Sequence, residues 1–259
     1  FLYRKYRPAE LASAEPVRRV GTWLATALPM GMTEGLRLLQ GQLGLLLAGA
    51  LAGTVQAGLY RVADAVAMVT AVFISVVGTA GTPMFGRLWK AGDYEGLQRV
   101  AVLCALGMTG GTFLLGLPIA IAGKTIIPLV FGSQFSGSAD VFLVLWSGSV
   151  IACSLGQSLS LANMTGRHLL ATQSFVAIAV VNASIGAVLI PRFGAVGAAF
   201  ATCASVVSGT LYCAWRLWRE EGINPTLYSS STGKIIFQLL SAGGLLRLWP
   251  KQDAPRAKL

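Results

Sequence analysis

The sequence is short of charged side chains for its length. Only 12% of its 259 residues are Asp, Glu, Lys or Arg, and 54% are hydrophobic. A soluble domain has roughly a quarter of its residues charged, so this chain has too little polar side chain to cover a water-facing surface. Together with a mean hydropathy of +0.67, the composition predicts a protein that uses lipid as its solvent.

Residues that commonly bind metals or carry catalysis are also scarce. The single histidine, His168, stands in a short connection. The cysteines lie inside apolar segments without paired spacing, which favours packing over disulfides or metal binding. They are Cys104, Cys153, Cys203 and Cys213. No phosphate-binding loop, zinc motif, nucleophile elbow or dinucleotide fingerprint is present. We therefore expect this chain not to be an enzyme, and expect it to have no cofactor or metal.

The chain also lacks an initiator methionine and an apolar leader. It begins at Phe1, and positions 1–19 are basic, unlike the apolar core of a signal peptide. We expect a fragment that opens in a loop of a longer protein. The net charge of +10 comes from short clusters between apolar runs, as in cytoplasmic loops of membrane proteins. We accordingly expect no nucleic-acid partner.

Hydrophobic runs of bilayer length fill most of the sequence. A bilayer core of about 30 Å needs roughly 20 apolar residues of helix. The segments that reach this length are 22–51, 59–85, 100–122, 141–163, 169–190 and 195–218. Short connections rich in turn formers make neighbouring helices antiparallel. We predict an all-α polytopic membrane bundle with six transmembrane helices over 21–218, between a basic cytoplasmic arm at 1–20 and a cytoplasmic tail at 219–259.

The distribution of basic residues predicts the orientation. The first connection has no charge, whereas the second contains Arg87, Lys90 and Arg99. Because basic residues concentrate on the cytoplasmic side, we expect both ends of this segment to be cytoplasmic. In the tail, 235–249 is apolar but shorter than a usual span. We expect it to lie flat at the interface, and a further, truncated span is the alternative.

Acidic and basic residues lie close together inside the first two predicted helices. Glu34 and Arg37 lie near the middle of the first, and Arg61 and Asp64 lie on the second. A charge that faces lipid at mid-bilayer costs about 2.5 kcal/mol or more, so Glu34 and Arg37 should face each other, another helix or a wet cavity. A purely structural ion pair is the alternative for Glu34 and Arg37. Arg61 is near enough to a helix end to reach water instead.

Later helices contribute uncharged polar side chains. We expect these to bond helices to one another rather than to bind a ligand. They are Ser154, Gln157, Ser158, Asn163, Gln173, Asn182, Ser205 and Ser208.

Several motifs, taken in order, resemble those of polysaccharide flippases. GQLGLLLAGAL at 41–51 and AGLYRVA at 57–63 resemble the seventh and eighth helices of Wzx-type lipid-linked oligosaccharide exporters, which belong to the multidrug/oligosaccharidyl-lipid/polysaccharide (MOP) superfamily. PMFGRL at 83–88, PLVFGSQF at 128–135, NMTGR at 163–167 and IPRFGAVGAA at 190–199 are similar to its later motifs. The resemblance covers about 22–218. Gly44 stands where many relatives have an acidic residue, so a coupling role of that acid does not carry over.

The resemblance implies one six-helix lobe of a MOP/MATE-like transporter. Such proteins have two six-helix lobes, sometimes with two additional helices, around a cavity that opens alternately to each side. This chain would be the C-terminal lobe, without its N-terminal lobe, in the bacterial cytoplasmic (inner) membrane. It would flip lipid-linked oligosaccharide for cell-surface polysaccharide, such as exopolysaccharide or lipopolysaccharide.

The implied substrate is an oligosaccharide on an isoprenoid diphosphate. Arg37 and Arg61 are candidates for binding the diphosphate, because guanidinium binds phosphate oxygens in a bidentate manner. Glu34 and Asp64 are candidates for coupling to a proton or sodium. Two alternatives stay open: a drug/cation antiporter of the same superfamily, which would favour acids and aromatics in its cavity, and a membrane assembly component that transports nothing.

Overall fold

Regular structure in the described part of the chain is helical. A computed structural model describes residues 20–223 and 225–227, so the basic arm and the apolar stretch at 235–249 lie outside the described residues. The helices are α1 (Val20–Ala52), α2 (Thr54–Thr70), α3 (Val72–Ala91), α4 (Tyr94–Phe131), α5 (Ser138–Ser154), α6 (Ser158–Met164) and α7 (His168–Glu221), with a 3₁₀ turn at Ser133–Phe135. The predicted all-α class is confirmed.

Helix length and apolarity make this a multi-pass membrane protein. The 34–52 part of α1, all of α4 and all of α7 are long and apolar enough to cross a membrane. Two further pairs, α2 with α3 and α5 with α6, meet the same criteria when each pair is taken together. The described residues thus contain 3 candidate spans, or up to 5 when each bent pair counts as one.

Two of the predicted spans are broken rather than continuous. The chain bends by 49° between α2 and α3 and by 45° between α5 and α6. At both breaks a hydroxyl donates to a carbonyl of the preceding turn: Thr70 to Ala67 and Ser154 to Ile151, each at 2.7 Å. Such bonds compete with the helix ladder and bend helices. Gly156, at φ 75°, completes the second break.

The long helix α7 folds back on itself at Gly194. This glycine has φ 57° and ψ −131°, which is outside the helical region. The Asn182 amide donates to the Thr202 hydroxyl at 3.4 Å, and Gly209 packs against Ile178. These contacts place 168–193 and 195–221 side by side and antiparallel. We call them the first and second arms of α7, and they coincide with the predicted segments 169–190 and 195–218.

Connections gather at two opposite ends of the molecule. At one end, the Ser138 hydroxyl donates to the Leu59 carbonyl at 2.9 Å, and the Ala195 amide donates to the Gln56 side chain at 2.9 Å. At the other end, Arg167 forms ion pairs with Glu220 and Glu221. Consecutive connections therefore alternate between the two ends.

The buried side chains form two clusters, one toward each end. The cluster toward the end that contains Gly53 and Gly194 includes Ala48, Tyr60, Ile127, Phe142, Ile190 and Ala198. The cluster toward the end that contains Gly92 and Arg167 includes Phe85, Leu97, Leu161, Leu170, Cys213 and Leu217. In the first cluster α1 lies so close to α2 and α7 that a Cβ on Gly44 would lie 2.6 Å from the Thr202 hydroxyl. At this contact the Tyr60 and Thr202 hydroxyls lie 3.2 Å apart.

Candidate functional site

Glu34 and Arg37 form an ion pair on one face of α1. The Arg37 Nε donates to both carboxylate oxygens of Glu34, at 3.0 and 2.9 Å, and Nη2 contacts the same carboxylate. The two side chains are 55% and 56% exposed in this chain. Each charge is therefore compensated by its partner and remains accessible to another ligand.

Arg61 and Asp64 form a second pair of the same spacing on α2. The Arg61 guanidinium lies 3.1 Å from the Asp64 carboxylate, and Asp64 is the less exposed of the two, at 27% against 53%. Asp64 lies one turn from Tyr60, a buried residue whose hydroxyl is 3.2 Å from the Thr202 hydroxyl. Thr202 in turn accepts from Asn182. The Asp64 pair thus adjoins a partly buried chain of polar groups that leads from α2 to both arms of α7.

A cavity of about 310 Å³ lies among α3, α4, α5, α6 and the second arm of α7. Its polar lining consists of Ser149, Gln157, Ser158, Ser160, Thr202 and Thr210. Apolar atoms of Ile74, Met108, Leu145 and Val206 make up much of the rest. Two cysteines, Cys153 and Cys203, also line it. The cavity therefore offers neutral hydrogen-bonding groups on an apolar wall.

The four charged residues that the sequence singles out do not line this cavity. Glu34, Arg37, Arg61 and Asp64 lie on α1 and α2, with each pair formed within its own helix. Thr202 connects the two regions, because it lines the cavity and also bonds to Tyr60. The roles of the four charged residues in substrate binding and ion coupling stay predictions.

Sequence reasoning did not place a ligand site at the cavity. From the sequence, Gln157 and Ser158 are expected to bond helices to one another. The sequence pattern does not single out Ser149, Thr202 or Thr210. The available signal was the recurrence of neutral polar residues inside bilayer-length segments, since lipid-facing surfaces need only be apolar. No group of three or more His, Cys, Asp or Glu side chains in the described ranges could hold a metal ion.

These features define a polytopic helical membrane protein with paired charges and a neutral polar cavity inside its bundle. The chain is 28% identical over 161 residues to a protein from Haloferax volcanii named a probable low-salt glycan biosynthesis flippase, Agl15. The alignment covers 60% of this chain and 33% of that protein, so the chain matches about a third of the relative's length. No protein-family model matches the chain, and no solved structure does.

Proposed function

We propose that this chain forms part of a flippase that moves a lipid-linked glycan across a membrane. The observation that carries the proposal is the 28% identity to a protein named as a glycan biosynthesis flippase, within a chain made of membrane-crossing helices. The order of the Wzx-type motifs over 22–218 supports the same function. The more specific proposal is one lobe of a MOP-type exporter, facing a second lobe across the substrate path.

The proposed lobe has six spans. Each bent pair, α2 with α3 and α5 with α6, supplies one span, and α1 and α4 supply one each. The two antiparallel arms of α7 supply the last two, because the turn at Gly194 returns the chain across the bundle. An even number of spans places both ends of 21–218 on the same side.

The end of the molecule that contains Arg167 is the proposed cytoplasmic end. Arg87, Lys90 and Arg216 belong to the same end, as the positive-inside rule requires. Aromatic side chains also gather there: Trp89 packs edge-on against Tyr94 at 5.5 Å, and the Arg219 guanidinium lies over the Trp215 ring. Aromatic and basic residues together are typical of a membrane–water interface.

The proposed substrate is an oligosaccharide on an isoprenoid diphosphate. Its sugars and diphosphate cannot enter hydrocarbon unaided, because removing water from such groups costs several kcal/mol each. The diphosphate binds Arg37 and Arg61, while the isoprenoid tail stays in lipid at the edge of the lobe.

The ion pairs suggest how binding is coupled to an ion. In the resting state, Glu34 and Asp64 compensate the arginines. When phosphate oxygens replace these carboxylates, the carboxylates lose their cationic partners and take up a proton or sodium. Both pairs are partly exposed on the surface of this chain, so phosphate oxygens can approach the two guanidinium groups.

Complementation tests the proposal. The full-length gene that encodes this chain is expressed in a strain that lacks its lipid-linked oligosaccharide flippase, and surface polysaccharide is measured. A glycan flippase restores the polymer. A drug/cation antiporter leaves the polymer absent but raises resistance to cationic drugs, and an assembly component changes neither. Either of the last two results contradicts the proposal.

A further inference from the structure

The cavity between α5, α6 and the second arm of α7 lies deep within the proposed bilayer. Thr202 and Thr210, which line it, are roughly 12 and 24 Å along the helix from the turn at Gly194, at about 1.5 Å per residue. Both distances fall inside a hydrocarbon core of about 30 Å. Gln157, at the break between α5 and α6, also lines the cavity. Broken helices at this depth are a common setting for ligand binding in transporters.

The lining of this cavity selects against charged ligands. Its residues include no Asp, Glu, Lys, Arg or His. A buried phosphate or metal ion without a compensating charge costs several kcal/mol. Hydroxyls and one carboxamide, in contrast, hydrogen-bond to neutral polar ligands. The chemistry therefore favours an uncharged ligand that carries several hydroxyl groups.

The side chain of Gln157 is incompletely satisfied. Its Oε1 is buried and has no hydrogen-bond partner among the described residues. Its Nε2 lies 3.4 Å from the sulfur of Met108, which is a weak acceptor. A buried polar atom left unpaired costs about 1–3 kcal/mol. A rotation of this side chain toward the cavity would let a ligand hydroxyl bond to the amide, since a hydroxyl donates one hydrogen bond and accepts others.

We propose that this cavity binds one sugar unit of the transported glycan. The inference rests on the proposed flippase function and adds a glycan subsite separate from the arginines assigned to the diphosphate. The volume, about 310 Å³, is at the lower end of the range of about 300–1,000 Å³ for ligand sites, which suits a single ring. Hydroxyls of that ring bond to Gln157, Ser149 and Thr202, and its apolar faces pack on Met108 and Val206.

Protection of a native cysteine tests this subsite. Cys203 lines the cavity and is partly exposed, whereas Cys213 is buried outside it. The purified full-length protein is alkylated with N-ethylmaleimide under two conditions. One sample contains the isoprenoid diphosphate that carries the oligosaccharide, and the other contains the same lipid without sugar. At about ten times its Kd, the sugar-bearing lipid should slow alkylation of Cys203 about tenfold. The sugar-free lipid should leave the rate unchanged, and neither lipid should affect Cys213.

A variant gives a second, independent measurement. Gln157→Leu removes the amide, so it should weaken binding of the sugar-bearing lipid about five- to tenfold, as expected for the loss of one hydrogen bond. Binding of the sugar-free lipid should not change. Thr79→Val is the matched control, because the Thr79 hydroxyl is exposed, bonds to the Ser75 carbonyl at 2.8 Å and lies outside the cavity.

Three outcomes separate the possibilities. Protection of Cys203 by the sugar-bearing lipid alone supports the subsite. The proposal is overturned if both lipids protect Cys203 equally, or if Gln157→Leu weakens the binding of both lipids equally. Either result would show that the cavity holds lipid or water. If the wild-type protein neither binds nor transports a lipid-linked glycan, the proposed function fails, and the subsite fails with it.

Discussion

The charged residues of α1 and α2 occur as pairs rather than singly. Glu34 with Arg37 and Arg61 with Asp64 each sit three residues apart, the spacing that brings side chains together on one helix face. Pairing lowers the cost of a charge in lipid, yet more than half of the Arg37 and Arg61 side chains stays exposed. Such pairs suit a role in which an anionic ligand displaces the carboxylate.

Neutralising Arg37 should remove transport without preventing membrane insertion. If Arg37 binds the diphosphate as proposed, Arg37→Gln removes a charge-assisted hydrogen bond of about 1.5–3 kcal/mol, so the transport rate should fall roughly ten- to hundredfold. The measurement is glycan flipping, with protein abundance in the membrane fraction as its reference. Arg87→Gln, at an exposed arginine near the end of α3, is the control and should behave as wild type. Unchanged transport in Arg37→Gln removes this residue from the site.

Gly44 tests the close packing of α1 on α2 and the second arm of α7. A Cβ here would collide with the hydroxyls of Tyr60 and Thr202, whereas a Cβ on Gly41 meets nothing within 4 Å. Gly44→Val should therefore destabilise the fold by about 1–3 kcal/mol, as overpacking does, and Gly41→Val should be close to neutral. Thermal unfolding in detergent measures both. Equal melting temperatures for the two variants would show that α1 does not pack here as described.

At the scale of whole elements, the chain breaks between α2 and α3 and between α5 and α6, and the segment after α7 docks against the second break. The Leu227 amide donates to the Ser154 carbonyl at 2.9 Å, and the Pro225 carbonyl packs on Gly156. The carbonyl freed at the end of α5 thus gains a partner, as a carbonyl in lipid requires. The segment therefore stabilises the break beside the cavity.

A pair of glycines isolates the contribution of this docking. Gly156 and Gly166 both have positive φ, 75° and 81°, but only Gly156 contacts Pro225, while Gly166 has open space around it. Alanine at either position costs about 1–2 kcal/mol for the left-handed backbone. Gly156→Ala should lower the melting temperature further than Gly166→Ala, because the methyl group displaces the docked segment. If both variants have the same melting temperature, the docked segment adds no stability.

The sequence predicts the helical class and the apolar character of the segments better than it predicts their shape. Hydrophobic length identifies 59–85 and 141–163 as spans, because bilayer thickness sets that length. The breaks at Ala71 and Gly156 depend on hydroxyl bonds to the preceding turn and on a docked segment distant in sequence. Hydropathy carries neither kind of information, so it does not locate either break.

The same limit applies to the candidate site. Spacing allows a pair between Glu34 and Arg37, which the structure shows, but it does not predict the pair between Arg61 and Asp64. The cavity instead joins side chains from α3 to α7 that lie far apart in sequence. Ser149 and Thr202 are unremarkable in their own segments and form a lining only once the helices pack.

For the whole molecule, alternating connections predict which residues lie on each side of the membrane. In a cysteine-free background, a membrane-impermeant maleimide should label Gln134→Cys in intact cells, because the 132–137 connection is at the same end as Gly194. Lys90→Cys, at the opposite end, should react only after the membrane is permeabilised. Labelling of both positions from the same side would contradict six spans and the proposed orientation.

The transport claim is tested most directly by flipping in vesicles of defined composition. The full-length protein is reconstituted with radiolabelled isoprenoid-diphosphate oligosaccharide confined to the inner leaflet, and a glycan-modifying enzyme outside reports its arrival. Because the polar head cannot cross hydrocarbon unaided, the account predicts rapid modification in vesicles that contain the protein and almost none in protein-free vesicles. Equal, slow modification in both would show that the protein does not flip a lipid-linked glycan.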